Sequence, residues 1–214
     1  MSKQMLIVTG PQGSGNHLWS KIFSLHKDVY GWKSLLKNYW EPHRFNEPFA
    51  DYWKHPKKLK DFDWTQSEYY FTSISVPLGI PGNLENPLWE PKLLEFTYEV
   101  SKHVDNIEWA VLGRDQNILR EQQTRVRSEP TLPMFMEQLE LEVPHHFLSY
   151  ELLYLYKQDY LRSLNEHIKI PIDYDNKLID KILEDDANAK YVHGVVKNEL
   201  DTGNRTGKVF KDKP

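Results

Sequence analysis

No cysteine occurs among the 214 residues, which excludes a disulfide framework, a thiolate zinc site and a cysteine nucleophile together. An excess of basic charge is missing too. The 27 lysines and arginines are outnumbered by 31 aspartates and glutamates, for a formal charge of −4, so the overall balance does not point to a nucleic-acid partner. No apolar run approaches the roughly 18–20 residues of a membrane span. The chain also passes almost directly from Met1 into a strand pattern rather than a signal peptide. These absences predict a soluble, cytoplasmic protein. Internal repeats and low-complexity segments are lacking as well. The expected organisation is one large domain over residues 1–197, then a polar, mobile tail over 198–214.

What is present is concentrated at the start. Met5 to Val8 is a short apolar run that reads as a buried strand, and Leu18, Trp19, Ile22, Phe23 and Leu25 recur at roughly helical spacing. Between them lies a turn containing Gly10, Gly13 and Gly15. Strand, glycine-rich turn and helix N-terminus together make an anion site, because converging backbone N–H groups and the helix dipole both favour negative charge. Gly10 and Gly15 have the separation found in the phosphate-binding loop G-x-x-x-x-G-K-[ST]. Asn16 and His17 stand where that loop has its lysine and hydroxyl. The turn is thus equipped to grip a phosphate but not for Mg-triphosphate chemistry. The competing reading is an ordinary turn whose glycines allow tight packing.

Residues 27–68 are irregular and aromatic-rich, with Tyr30, Trp32, Tyr39, Trp40, Tyr52, Trp53, Phe62 and Trp64 interrupted by prolines. Such rings suit either a substrate wall or a core. Glu41 and His43 lie two apart here, so an extended segment would point both to one side, where they could share general-base work. Further on, Tyr69–Ser75 reads as a strand, Pro91 to His103 as a helix, and Ile107–Gly113 as another buried strand ending at Arg114 and Asp115. Arginine at the carboxyl end of a strand is placed to clamp a phosphate. Helices are expected over 117–127, 132–141, 151–167 and 174–185, with a last strand over 146–150.

This order of pieces resembles the PAPS-dependent sulfotransferases. The first loop of that family, commonly P-K-S-G-T-T, holds the 5′-phosphosulfate, and Pro11-Gln12-Gly13-Ser14-Gly15-Asn16 shares its Ser-Gly core without a preceding lysine. The family's second motif pairs an arginine at a strand end with a serine eight residues on, both on the 3′-phosphate. Arg114 matches the arginine, and Gln122 stands at the serine position. Tyr150-Glu151-Leu152 is similar to the structural Y-E-D-L. Glu41-Pro42-His43 is similar to the K-E-x-H-F-F segment of the glycan-modifying branch, whose glutamate is the base. Gly203 to Lys208 resembles a third nucleotide loop.

The resemblance implies a three-layer, P-loop-type α/β domain with a short parallel sheet of four or five strands, helices on both faces and the first loop at its carboxyl edge. It implies sulfuryl transfer from PAPS, without a metal, to an acceptor hydroxyl or amine on a glycan or aromatic metabolite. Gly13, Ser14, Gly15 and Asn16 would hold the 5′-phosphate, Arg114 and Gln122 the 3′-phosphate, and His17 would lie near the transferred group in place of the lost lysine. Glu41 or His43 would deprotonate the acceptor. A nucleotide- or nucleoside-kinase-like protein with a degenerate loop, and a catalytically inactive nucleotide-binding module, are the alternatives.

Overall fold

The computed structural model describes residues 2–79, 84, 87–127, 130–138, 145–184 and 188. The tail from 198, with the Gly203–Lys208 segment, lies outside the described residues. The core is a five-stranded, all-parallel sheet in the order β2-β3-β1-β4-β5. Its strands are β1 (Gln4–Gly10), β2 (Val29–Tyr30), β3 (Tyr69–Ser75), β4 (Asn106–Gly113) and β5 (His145–Ser149). β1 is central, with Val8 beside Ser73 of β3 and Ala110 of β4. The fold is α/β, with the helices packed around the sheet.

Alternation along β1 assigns its side chains to two cores. Leu6 and Val8 face a layer containing α1 (Asn16–Ser24), α6 (Tyr150–Asn165) and α7 (Leu178–Leu183), through Trp19, Phe23, Leu153, Leu161 and Ile179. Met5 and Ile7 face Phe49, Trp53, Leu59 and Trp64, together with α3 (Leu93–Val100) and Phe135 of α5 (Leu132–Gln138). The aromatic 27–68 segment is therefore mostly core. Trp53 stacks on Phe96 with centroids 3.7 Å apart, and Trp32, Phe49 and Trp53 are fully buried.

Three local expectations give way to particular side chains. β2 was not anticipated, since two residues inside an irregular stretch carry no periodicity; it forms by pairing Val29 and Tyr30 with β3. A one-turn helix, α2 (His43–Asn46), replaces the extended segment expected around Glu41 and His43. The helix expected over 174–185 is ordered as α7 only from Leu178. There the Asn176 side chain donates to the Asp173 carboxylate (2.7 Å) and accepts from the Leu178 N–H (2.9 Å), holding a turn in place of the first helical residues.

From β1 the chain moves toward the β2 edge of the sheet, and from β4 toward β5. The loops leaving the carboxyl ends of these neighbouring strands diverge, and that divergence opens a crevice. α4 (Gln116–Arg127) follows β4 at its rim.

Candidate functional site

A cleft of about 980 Å³ lies at this carboxyl edge. Gly13 and Gly15 hold the first loop in left-handed conformation, at φ 87° and 108°, and the Ser14 N–H closes the turn onto the Pro11 carbonyl at 3.0 Å. A Cβ on Gly15 would meet the Tyr150 ring at 3.0 Å, so glycine is needed there for space as well as conformation. The loop is pinned from behind by Gln12. Its side chain donates to the Gly79 carbonyl (2.7 Å), and its carbonyl accepts from Gln123 (2.6 Å).

α1 starts directly after this loop, and no side chain caps its N-terminus. Its first N–H groups therefore remain available to a ligand. Two buried polar atoms in the same place lack partners among the described residues, Ser14 Oγ and Asn16 Oδ1. Asn16 donates its amide to Ser75 Oγ at 2.7 Å, tying the helix start to the end of β3.

Arg114 comes off β4 into the cleft wall, 8% exposed. One of its nitrogens, Nη1, donates to the Gly13 carbonyl (2.5 Å) and to the side-chain oxygen of Gln122. Its Nε and Nη2 both donate to Asn188 Oδ1, at 2.9 and 2.6 Å. The guanidinium also lies 4.5 Å from the centre of the Tyr150 ring, a cation–π contact that orients it. The first loop and the Arg114–Gln122 pair, far apart in sequence, thus meet.

Seven of the nine residues expected at the site line this cleft: Gly13, Gly15, Asn16, His17, His43, Arg114 and Gln122. Ser14 is fully buried beneath the loop instead. Glu41 is turned away. Its carboxylate accepts from the Trp32 indole (2.9 Å), the Ser34 hydroxyl (2.7 Å) and the Asn38 amide. Burial opposes ionisation at Glu41, but these three donors, with His17, outweigh it and hold the carboxyl below its ordinary value. Glu41 does not line the cleft among the described residues, and its carboxylate is occupied by these three donors.

His17 stacks on Trp40 with centroids 5.9 Å apart, and its Nε2 lies 2.8 Å from the Glu41 carbonyl. Burial lowers its pKa from 6.5, against that hydrogen bond. Burial thus favours the neutral ring over the charged one. His43 places Nε2 2.6 Å from the Ser73 carbonyl, which fixes Nε2 as the protonated nitrogen. Its Nδ1 is a buried atom with no partner among the described residues. Burial holds this imidazole down to about 4. Behind it, Glu47 Oε2 lies 3.9 Å from Nε2.

Sequence reasoning missed Ser75, Gly79 and the Gln12–Gln123 pair. Only their place at strand ends and their tertiary partners mark them, so no local signal was available. Lys21, Lys37, Arg44 and Lys181 also line the cleft, and among the described residues no aspartate or glutamate does. Among the described residues no helix is long and apolar enough to cross a membrane, and no cluster of three or more His, Asp or Glu is arranged to hold a metal. No protein-family model matches the chain, and no curated protein matches its sequence. The functional reading rests on the site itself.

Proposed function

We propose that the protein transfers a sulfuryl group from PAPS to an acceptor hydroxyl or amine. The observation that carries this reading is the convergence of the Gly13–Asn16 loop, Arg114 and Gln122 on one cleft that no carboxylate lines among the described residues. Arg114 and the loop N–H groups suit two separate phosphates, as PAPS carries. The uncapped N-terminus of α1 would take the 5′-phosphosulfate, and the fork of Arg114 would take the 3′-phosphate. Asn188 Oδ1 accepts from Nε and Nη2 together, the geometry a phosphate oxygen would adopt on replacing it.

His43 is the group best suited to take the acceptor proton, since its Nε2 is committed to Ser73 and its Nδ1 keeps an unshared pair. A buried lone pair without a partner is costly, and an acceptor hydroxyl against the ring would supply one. In the transfer, the acceptor oxygen loses its proton to Nδ1 and bonds to sulfur. The bond from sulfur to the 5′-phosphate oxygen breaks, and its electrons leave with PAP. Glu41 is a positioning residue, fixing the 32–42 segment through Trp32, Ser34 and Asn38.

Titration with PAP, PAPS and ATP·Mg²⁺, followed by Tm, tests the reading, because a ligand that binds only the native state raises Tm by mass action. A rise with PAP and PAPS but not with ATP·Mg²⁺, together with sulfate transfer across an acceptor panel, is the expected result. The reverse pattern favours a kinase. PAP binding with no turnover favours an inactive module.

A further inference from the structure

We infer that the acceptor half of the cleft selects an anionic, ring-bearing molecule, one that presents a ring face to Trp40 and a carboxylate or sulfate to Lys37 and Lys181. This rests on the sulfuryl-transfer reading only in calling that half the acceptor's.

Beyond His17, on which Trp40 stacks, the cleft lining includes Tyr39, Trp40 and Phe45, which are 68%, 60% and 72% exposed. Three large exposed rings within seven consecutive residues, all on one cleft, form a concentrated apolar surface of the kind that marks a binding site. The rings are held in place. Trp40 lies nearly parallel to His17, with an interplanar angle of 16°. Lys21 donates to the Tyr39 carbonyl (3.1 Å), and the Arg44 guanidinium lies 4.6 Å from the centre of the Phe45 ring.

Among the described residues the charged side chains that line the cleft have one sign, the Glu41 carboxylate being held by Trp32, Ser34 and Asn38. Lys21 projects from α1, Lys37 from the 3₁₀ turn Lys33–Lys37, Arg44 from α2 and Lys181 from α7, and all four line the cleft. The chain as a whole is acidic, at −4, so the lack of acids in the cleft lining among the described residues is not a reflection of composition. Among the described residues Lys37, Arg44 and Lys181 have no carboxylate within the 4.0 Å of an ion pair. The donor's phosphates are already provided with Arg114 and the loop. Lys21 lies four residues beyond His17 on α1, about 6 Å further from the loop.

A concave, single-sign surface concentrates counter-ions of the opposite sign. An acidic acceptor would otherwise be repelled by the donor's phosphates, and these lysines offset that repulsion. A neutral ring would use the aromatic wall and leave the cations without a role.

Calorimetric titration in low salt with PAP present tests the inference. One arm uses a glucuronate-containing disaccharide against its neutral glucose counterpart. The other uses 4-hydroxybenzoate against 4-hydroxybenzyl alcohol. At least one acid is expected to bind about tenfold or more tightly than its neutral partner, and the arm in which it does identifies the acidic sugar or the aryl acid. Lys37 and Lys181 are exposed, so the double variant Lys37→Gln/Lys181→Gln is expected to fold. It should bring that preference down to about twofold or less while leaving PAP affinity unchanged. Trp40→Ala should weaken acid and neutral ring alike. Equal binding of acid and neutral partner, or no binding of any ring, overturns the inference. A double variant that loses PAP affinity instead assigns these cations to the donor and also overturns it. If the parent does not bind PAP, the sulfuryl-transfer reading falls, and the same acid–neutral comparison run without PAP still decides the inference.

Discussion

Arg114 donates to the side-chain oxygen of Gln122, eight residues on, and the same nitrogen reaches the carbonyl of Gly13. One guanidinium thus joins the end of β4, the cleft-facing side of α4 and the first loop. A charge-assisted clamp on phosphate contributes about 1.5–3 kcal/mol. Arg114→Ala is therefore expected to weaken PAP binding roughly ten- to hundredfold. Because Arg114 is buried and its partners would lose their donor, the variant should also melt at lower temperature. Calorimetry with PAP at a temperature where circular dichroism shows the variant folded separates the two effects. Parent-like PAP affinity there would remove Arg114 from the site.

Ser14 offers a test of the loop that leaves the fold alone. Its hydroxyl is buried and unpartnered among the described residues, so Ser14→Ala removes an unsatisfied group and should leave Tm unchanged or raised. A hydroxyl recruited by a phosphate when the loop closes on it contributes about 1.5 kcal/mol or more. PAP affinity is then expected to fall about tenfold. A variant with unchanged affinity would confine Ser14 to packing under Gly10, where a Cβ would lie 2.5 Å from Ser14 Oγ.

Glu41→Gln distinguishes positioning from proton transfer. The amide places an N–H₂ among the Trp32, Ser34 and Asn38 donors, and a buried donor left without an acceptor costs about 1–3 kcal/mol. A clear fall in Tm is expected. The Glu41 carboxyl titrates below its ordinary 4.5 when folded. Its stabilisation is thus present above 4.5 and lost as pH falls through the lower native value, and the gap between variant and parent should narrow there. Turnover with saturating PAPS should stay within about tenfold of the parent, whereas removal of a general base costs about 10²–10⁴-fold. His43→Asn is expected to show the larger loss. Near-complete inactivation of Glu41→Gln with normal PAP binding would return the base to Glu41.

Four of the five strands and the longer helices were legible because burial on two faces imposes continuous apolar runs, as in Met5–Val8 and Trp109–Leu112, and one-sided burial imposes helical spacing. Arg114 and Gln122 were paired through the resemblance alone, and the strand end with two turns of α4 is what brings the two side chains together. The place of Glu41 was not legible. The direction of its carboxylate is set by the indole N–H of Trp32, nine residues earlier, and by the turn at His43, and neither appears in the local pattern. Glu47 was passed over altogether. A glutamate before Pro48 reads as a solvated loop residue, and only the closure of Phe49 and Thr72 over it makes it buried.

That burial has a consequence for stability against pH. Enclosure pushes the Glu47 carboxyl up from 4.5 to about 8, against hydrogen bonds from Thr72, Phe49 and Ser73 that favour its charge. Between those values the native state keeps a proton that the unfolded chain has lost, so stability falls as pH rises. His43 acts in the opposite direction. Burial lowers it from 6.5 to about 4, so in that interval the unfolded chain holds the extra proton and stability rises with pH. His17, also lowered from 6.5, adds to that rise. The opposing slopes overlap below 6.5, and above it Glu47 acts alone up to about 8. Tm is therefore expected to fall as pH rises from 6.5 to 8. Glu47→Gln, uncharged at every pH, should abolish this descending limb and leave the limb below 6.5 steeper than in the parent. Differential scanning calorimetry of both proteins through this range supplies the measurement. A parent profile that is flat or rising above 6.5, or a variant that keeps the descent, would show that Glu47 is already ionised in the native protein.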